Sequence, residues 1–304
     1  MTFSGCQFVY ENINQLERAN YYNATEYGVL TTNSGKENSG ALQELINSLP
    51  ICGTIYIPSG RYEFAEIGQQ KIGSHCIKMR SDVNIIGDGE STVLLPVGNS
   101  SGGLDMFYFN ELIDNRSAEY LQNCTFKDFR IDASGTSPNK YTSAGKGFMF
   151  NLCRNCRWEN VIVENTDATG FGIDCPINCT IINCMAINCG KAATVSDHGA
   201  SGYGIGFGFS AKENMKIVDC YATGNKKFGF FFEHQGRFKP ELYQANSTYG
   251  FLVNNCKAID NYYNFGGMKA IDVTYSNCIS KGSIEDDFYF YKSTNCVTIN
   301  NIQN

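Results

Sequence analysis

A chain of 304 residues, 42% hydrophobic and 13% aromatic, has ample material for a core but is too long for one compact globule of ordinary size. A core that grows along one axis escapes that limit. The net charge of −6, with no basic block, gives no support for nucleic-acid binding, and an anionic ligand would need a local basic patch.

Residues 1–15 carry no basic flank and no long apolar run, so they do not read as a secretory signal. No apolar stretch approaches membrane-spanning length, so no membrane partner is expected. These features leave the cytoplasm, a phage particle, or a form whose leader has been removed. Residues 1–37 read as an extended leading segment. Residues 38–49 are the one clear helix, with Asn38 or Ser39 as N-cap and Pro50 as the stop. Its apolar stripe is Ala41, Leu42, Leu45, Ile46 and Leu49. A terminal helix would shield the open end of a stack of strands. Strand–turn units follow at 53–58, 60–64 and 83–87. No linker interrupts the chain, so residues 38–304 read as one domain.

Beyond these units the chain repeats. Asn-Cys recurs at Asn123-Cys124, Asn155-Cys156, Asn178-Cys179, Asn183-Cys184, Asn188-Cys189, Asn255-Cys256, Asn277-Cys278 and Asn295-Cys296, with Asp219-Cys220 as a variant. A second marker is Gly followed by an apolar residue, at Gly147, Gly170, Gly204, Gly229 and Gly250; successive copies lie 23, 34, 25 and 21 residues apart. A period in the low twenties built of short alternating strands means one solenoid coil per repeat. The fold class is therefore all-β, a single-stranded right-handed parallel β-helix with an N-terminal capping helix. Asn at the same turn of each coil can form an amide ladder, and Cys packs as a small hydrophobe at the tight corner. That accounts for most of the fourteen cysteines without disulfides. Cys153 and Cys156 have zinc-like spacing, but no second pair accompanies them, so no metal or other cofactor is expected. The largest insertions fall near 190–202 and 235–249, and solenoid insertions often cluster on a binding face.

The opening motifs Tyr27-Gly28-Val29, Ala41-Leu42-Gln43, the run from Gly53 through Pro58 to Tyr62, and Ile86-Gly87 resemble the pectate-lyase-like superfamily. Its members include polysaccharide lyases, polygalacturonases, alginate C5-epimerases and phage tailspikes. The resemblance implies the fold and leaves the reaction open. The coils from Thr169 to Phe232 are similar to the repeats of alginate epimerases. The epimerase signature Tyr-Gly-Phe-Asp-Pro-His reads here Thr169-Gly170-Phe171-Gly172-Ile173-Asp174, so its tyrosine, aspartate and histidine are replaced and epimerase activity is not carried over. Asn165-Thr166-Asp167 matches the first element of the polygalacturonase pattern, but its paired aspartates and its Arg-Ile-Lys element are absent. Tailspikes are trimers, which makes a homo-oligomer an expectation of the resemblance alone.

Three histidines are available. His75 lies in an early coil and reads as structural. His198, beside Asp197, sits in a Gly/Ser-rich insertion on a rigid scaffold, where function concentrates. Glu233 and His234 end the strand that begins near Gly229, and Arg237 and Lys239 follow. A carboxylate, an imidazole and two cations suit an anionic sugar. With coils about 4.8 Å apart, Asp174, the 197–203 loop and Glu233-His234 would share one cleft. Tyr203 is then a candidate proton donor or stacking platform. Lys227 is a candidate substrate contact or a charged turn.

Three functions follow from these residues. The first is an enzyme that acts on a uronate-containing polysaccharide by C5 proton abstraction, as a lyase: a cation neutralises the uronate, His234 or His198 removes the proton, and Tyr203 or a carboxylic acid protonates O4. The second is a glycoside hydrolase with paired carboxylates drawn from Asp174, Asp197 and Glu233. The third is a non-catalytic, tailspike-like glycan-binding module.

Overall fold

The recurrent asparagines sit where the backbone must turn. Asn123, Asn155, Asn178, Asn183, Asn188, Asn255, Asn277 and Asn295 all adopt left-handed φ between 49° and 57°. Asn tolerates this region better than most residues with a side chain. One left-handed residue bends a strand sharply, so very short strands can follow one another around a coil. Asn178, Asn183 and Asn188 turn a single coil at three successive corners, separated by the strands Cys179–Ile182 and Met185–Ile187. Asn-Cys therefore marks several corners of each coil, where the repeat alone suggested one.

The computed structural model describes residues 21–50, 52–99, 101–111, 119–197, 199–210, 212–236 and 249–303. Over them the chain is a right-handed parallel β-helix. One sheet carries a strand from each of eight coils: Ser74–Lys78, Leu104–Phe109, Phe148–Asn151, Phe171–Asp174, Tyr203–Phe207, Phe228–His234, Tyr263–Met268 and Asp286–Tyr291. All eight run parallel, and Gly68–Gln69 closes one edge antiparallel to Ser74–Lys78. Most of the remaining strands merge into one continuous sheet because long strands bend across a corner, while Leu121–Gln122 pairs separately with Cys153–Arg154. Thr125–Asp132 pairs with Val83–Ile86 near its start and with Thr92–Pro96 near its end.

Side chains fix the register between coils. At one corner the amide of Asn123 donates to Asp82 (2.8 Å), Asn155 to Asn123 (3.2 Å) and Asn178 to Asn155 (2.8 Å). At the next, Asn160 donates to Asp128 (2.6 Å) and Asn183 to Asn160 (2.8 Å). Inside, the strand register aligns Phe107, Phe148, Phe171, Tyr203, Phe230, Phe265 and Phe288 in one column. Their rings stack with centroids 4.6–5.5 Å apart. The thirteen cysteines among the described residues are all free thiols, most of them buried. Burial pushes the Cys189 thiol up to about 12, so it packs as a neutral group.

The helix differs from the sequence expectation at its start. It spans Gly35–Ser48, with Ser34 as N-cap in a capping box: Glu37 N–H donates to the Ser34 hydroxyl (3.4 Å), and Ser34 N–H donates to the Glu37 carboxylate (2.8 Å). Asn38 and Ser39 are buried clamps instead. Asn38 donates to the carbonyls of Leu30 (2.9 Å) and Glu63 (3.0 Å), and Ser39 donates to that of Ala65 (2.8 Å). The leading segment is likewise built into the fold from Tyr21, because Tyr21–Asn23 pairs in parallel with Gly53–Tyr56. The boundary at residue 37 therefore falls within the helix. Among the described residues no helix is long and apolar enough to cross a membrane.

Asn155 both supplies a left-handed corner and carries two ladder bonds. Asn155→Ala is expected to lower the unfolding free energy by about 1–2 kcal/mol, and Asn155→Gly by less because glycine keeps the turn. Urea unfolding of the two variants checks this; equal stability to the wild type would remove the ladder's role.

Candidate functional site

Side chains alternate along a strand, so the residues beside the buried aromatic column point outward. The first outward column runs Met149, Gly172, Gly204, Phe231, and the second Asn151, Asp174, Gly206, Glu233, Met268. Three neighbouring outward positions are thus glycine. Their missing side chains leave a groove of about 220 Å³, lined by Ser143, Lys146, Met149, Thr169, Asp174, Phe231, Glu233 and Gln235.

Each glycine makes room for a particular group. A Cβ on Gly172 would lie 2.6 Å from Cδ and 3.1 Å from Nζ of Lys146, so the lysine crosses the groove at this position. A Cβ on Gly206 would collide with the Gln235 amide and the Asp174 carboxylate. Through that gap Gln235 Nε2 donates to Asp174 Oδ1 at 2.9 Å. Gln235 Oε1 is buried and has no hydrogen-bond partner among the described residues. A buried acceptor without a donor is costly, and a ligand hydroxyl would satisfy it.

The groove rests on two buried carboxyl groups. Asp105 is fully buried, and its Oδ1 accepts the backbone N–H groups of Gly145 and Lys146, both at 2.7 Å. It therefore fixes the backbone from which the Lys146 side chain departs. Burial raises its pKa, against the opposing charge of Lys146. Glu213 is also fully buried and accepts N–H groups from Gly208 (2.6 Å), Phe209 (2.8 Å) and Ser210 (2.5 Å), which pins the turn after the Tyr203–Phe207 strand. Burial pushes this carboxyl up to about 7 despite the three donors, and the nearby charge of Asp174 adds to the rise.

The sequence-based candidates divide. Asp174 and Glu233 come together: both are outward, on either side of Gly206 in one column. Lys227 donates to the carbonyl of Asp197 at 3.0 Å and is not among the residues that line the groove. Burial lowers its pKa, while the charges of Glu233 and Asp197 oppose that. The Asp197 carboxylate accepts the N–H and hydroxyl of Thr194, at 2.7 and 2.8 Å, and so holds a turn in the insertion.

Two expectations are corrected. Tyr203 is fully buried between Phe171 and Phe230, with ring centroids 4.8 and 4.6 Å away, and its hydroxyl donates to the carbonyl of Tyr221 at 3.2 Å. It belongs to the core and does not face the groove. His234 turns away from Glu233, as neighbours on a strand must. Its ring meets Phe207 edge-on at 5.4 Å, and it lines a second pocket beside Lys269 and Lys292. Burial lowers its pKa. His75 stacks on Tyr108 at 4.6 Å near the antiparallel edge. His198, Arg237 and Lys239 lie outside the described residues. Cys153 and Cys156 are buried, and no three metal-ligating side chains converge among the described residues.

Lys146 and Gln235 were missed by sequence reasoning. Alternation beyond Glu233 points to Gln235, since His234 intervenes. Lys146 immediately precedes the Gly147-Phe148 marker, but nothing in its own coil indicates that it crosses to the next.

The family described as rhamnogalacturonase A/epimerase, pectate lyase-like, matches residues 21–302. The A-module of the mannuronan C-5 epimerase AlgE4 from Azotobacter vinelandii is 19% identical with a TM-score of 0.63, the alignment covering 92% of this chain and 76% of that one. The family 28 exopolygalacturonase of Yersinia enterocolitica is 12% identical with a TM-score of 0.56, covering 89% and 55%. The tailspike of E. coli bacteriophage HK620, solved as a double mutant, is 14% identical with a TM-score of 0.52, covering 88% and 51%. At such identities the likeness is one of fold. No curated protein matches the chain significantly.

The burial of Tyr203 gives a direct expectation. Tyr203→Phe keeps the ring stack and should leave turnover within about threefold, whereas Tyr203→Ala should cost about 3–5 kcal/mol of stability. Loss of activity in a well-folded Tyr203→Phe protein would restore the hydroxyl to the chemistry.

Proposed function

The chain belongs to the rhamnogalacturonase A/epimerase, pectate lyase-like family, and we propose that it is an enzyme acting on an acidic, uronate-containing polysaccharide in the groove above Gly172, Gly204 and Gly206. One observation carries this reading: Asp174 and Glu233 project from a single outward column with only a glycine between them.

Two strand spacings separate their backbones, about 9.6 Å. Glycoside hydrolysis with inversion uses carboxyl groups about 6.5–9.5 Å apart, leaving room for a water, whereas retention needs about 5–5.5 Å. Backbones this far apart leave room for a water between the two side chains, and the reaction favoured here is inverting hydrolysis. Asp174, oriented by the Gln235 amide, takes a proton from the attacking water. Glu233 gives its proton to the departing glycosidic oxygen. Lys146 neutralises the uronate carboxylate, and the unpartnered oxygen of Gln235 accepts a sugar hydroxyl.

The position of Lys146 also favours a second reading. A cation against the uronate carboxylate acidifies the C5 proton; one groove carboxylate removes it, a C4–C5 double bond forms as the C4–O4 bond breaks, and the other carboxyl group gives its proton to the departing O4, as in a lyase. His198 is a further sequence-based candidate for the base.

Asp174→Asn and Glu233→Gln should each lower turnover about 10²–10⁴-fold while leaving thermal unfolding unchanged. New reducing ends of inverted anomeric configuration, read by NMR, support hydrolysis. Unsaturated uronate absorbance selects the C5 reading. Glycan binding without turnover, unaffected by Glu233→Gln, would overturn both.

A further inference from the structure

Beyond Glu233, towards the C-terminal coils, lies a second pocket of about 330 Å³ that the chemistry above does not use. Among the described residues its lining includes His234, Gln235, Lys269, Lys292 and Thr294, and no carboxylate. Gln235 lines both this pocket and the groove, so the two adjoin at that side chain.

Lys269 and Lys292 occupy one corner of consecutive coils. Both have φ of 51°, and Lys269 N–H donates to the carbonyl of Tyr291, the residue before Lys292. Their backbones therefore stand one strand spacing apart, about 4.8 Å. Two lysines rooted this close together bring like charges to one place, and an anion between them relieves their repulsion. Among the described residues neither lysine is in an ion pair. The ammonium of Lys292 lies 5.1 Å from the centre of the Tyr291 ring.

His234 completes the pocket. Its Nδ1 accepts the N–H of Gly236 at 3.2 Å, so in the neutral ring the proton is on Nε2. Burial disfavours the charged ring, and the charge of Lys269 acts in the same direction. The pocket thus offers two positive charges and an imidazole on a chain whose net charge is −6. Such a set suits a carboxylate that is already part of a tethered chain.

We propose that this pocket is a distal anion subsite that binds the carboxylate of a uronate unit on the C-terminal side of the Asp174–Glu233 pair. The proposal rests on the reading of the groove as a site for an acidic polysaccharide. Lys269 and Lys292 act only on binding and have no part in bond cleavage. A polymer long enough to span both pockets gains their charge, and a short oligomer confined to the groove does not.

The test is calorimetric binding of a uronate dimer and a uronate hexamer to the Glu233→Gln protein, with and without Lys269→Gln and Lys292→Gln. The lysine changes are expected to weaken hexamer binding about tenfold or more and to flatten its salt dependence, while dimer affinity stays unchanged. Hexamer affinity unaltered by both lysine changes would overturn the subsite and leave the groove reading standing. An equal loss for dimer and hexamer would also overturn it, because the lysines would then act on the groove itself. If neither oligomer binds in the absence of the lysine changes, the groove reading fails and the subsite with it.

Discussion

The left-handed corner residue is the constraint on which the rest of this molecule depends. A strand of three or four residues cannot close a coil unless the backbone turns within a single residue, and asparagine or aspartate makes that turn at modest cost. Stacking repeats the corner every strand spacing, so each side-chain amide can donate to the one before it, as Asn178, Asn155 and Asn123 do. These bonds tie successive coils into one register. A slip of one residue would turn the aromatic column outward and bury Asp174 and Glu233.

Register converts into a site through glycine. With the aromatic column held inside, the outward positions are fixed by alternation, and three that adjoin are glycine. The space they leave is used by side chains from neighbouring coils: Lys146 over Gly172, and Gln235 over Gly206 towards Asp174. The buried carboxyl groups of Asp105 and Glu213 hold the backbone on either side. The groove is therefore rigid because its floor is sheet and its flanking turns are pinned by buried hydrogen bonds.

Much of this was legible in the sequence, and the limits have physical causes. The Asn-Cys repeat reveals a solenoid because each copy reports a backbone turn. It cannot say which corner a copy occupies, since Asn178, Asn183 and Asn188 look alike in sequence and turn three different corners. The Gly-apolar marker misleads for a related reason: Gly147, Gly170 and Gly229 immediately precede the stacked rings, whereas Gly204 belongs with Gly172 in the outward column and Gly250 pairs with Asn214 in the other sheet. Taking Gly204 as the marker hid Gly202 and left the inward position of Tyr203 unseen. Asp174 and Glu233 were recoverable because both lie at the ends of strands only two coils apart. Gln235 follows from alternation beyond Glu233, whereas Lys146 depends on the reach of a side chain across a glycine, which one coil's sequence does not carry.

The central claim is that an acidic polysaccharide binds over the three glycines with its reacting linkage between Asp174 and Glu233. A crystal structure of the Glu233→Gln protein soaked with a uronate hexamer tests this most directly. The account predicts sugar density along the groove, with a uronate carboxylate at Lys146 and a hydroxyl on Gln235 Oε1. Density confined to another face, with the groove empty, would contradict it.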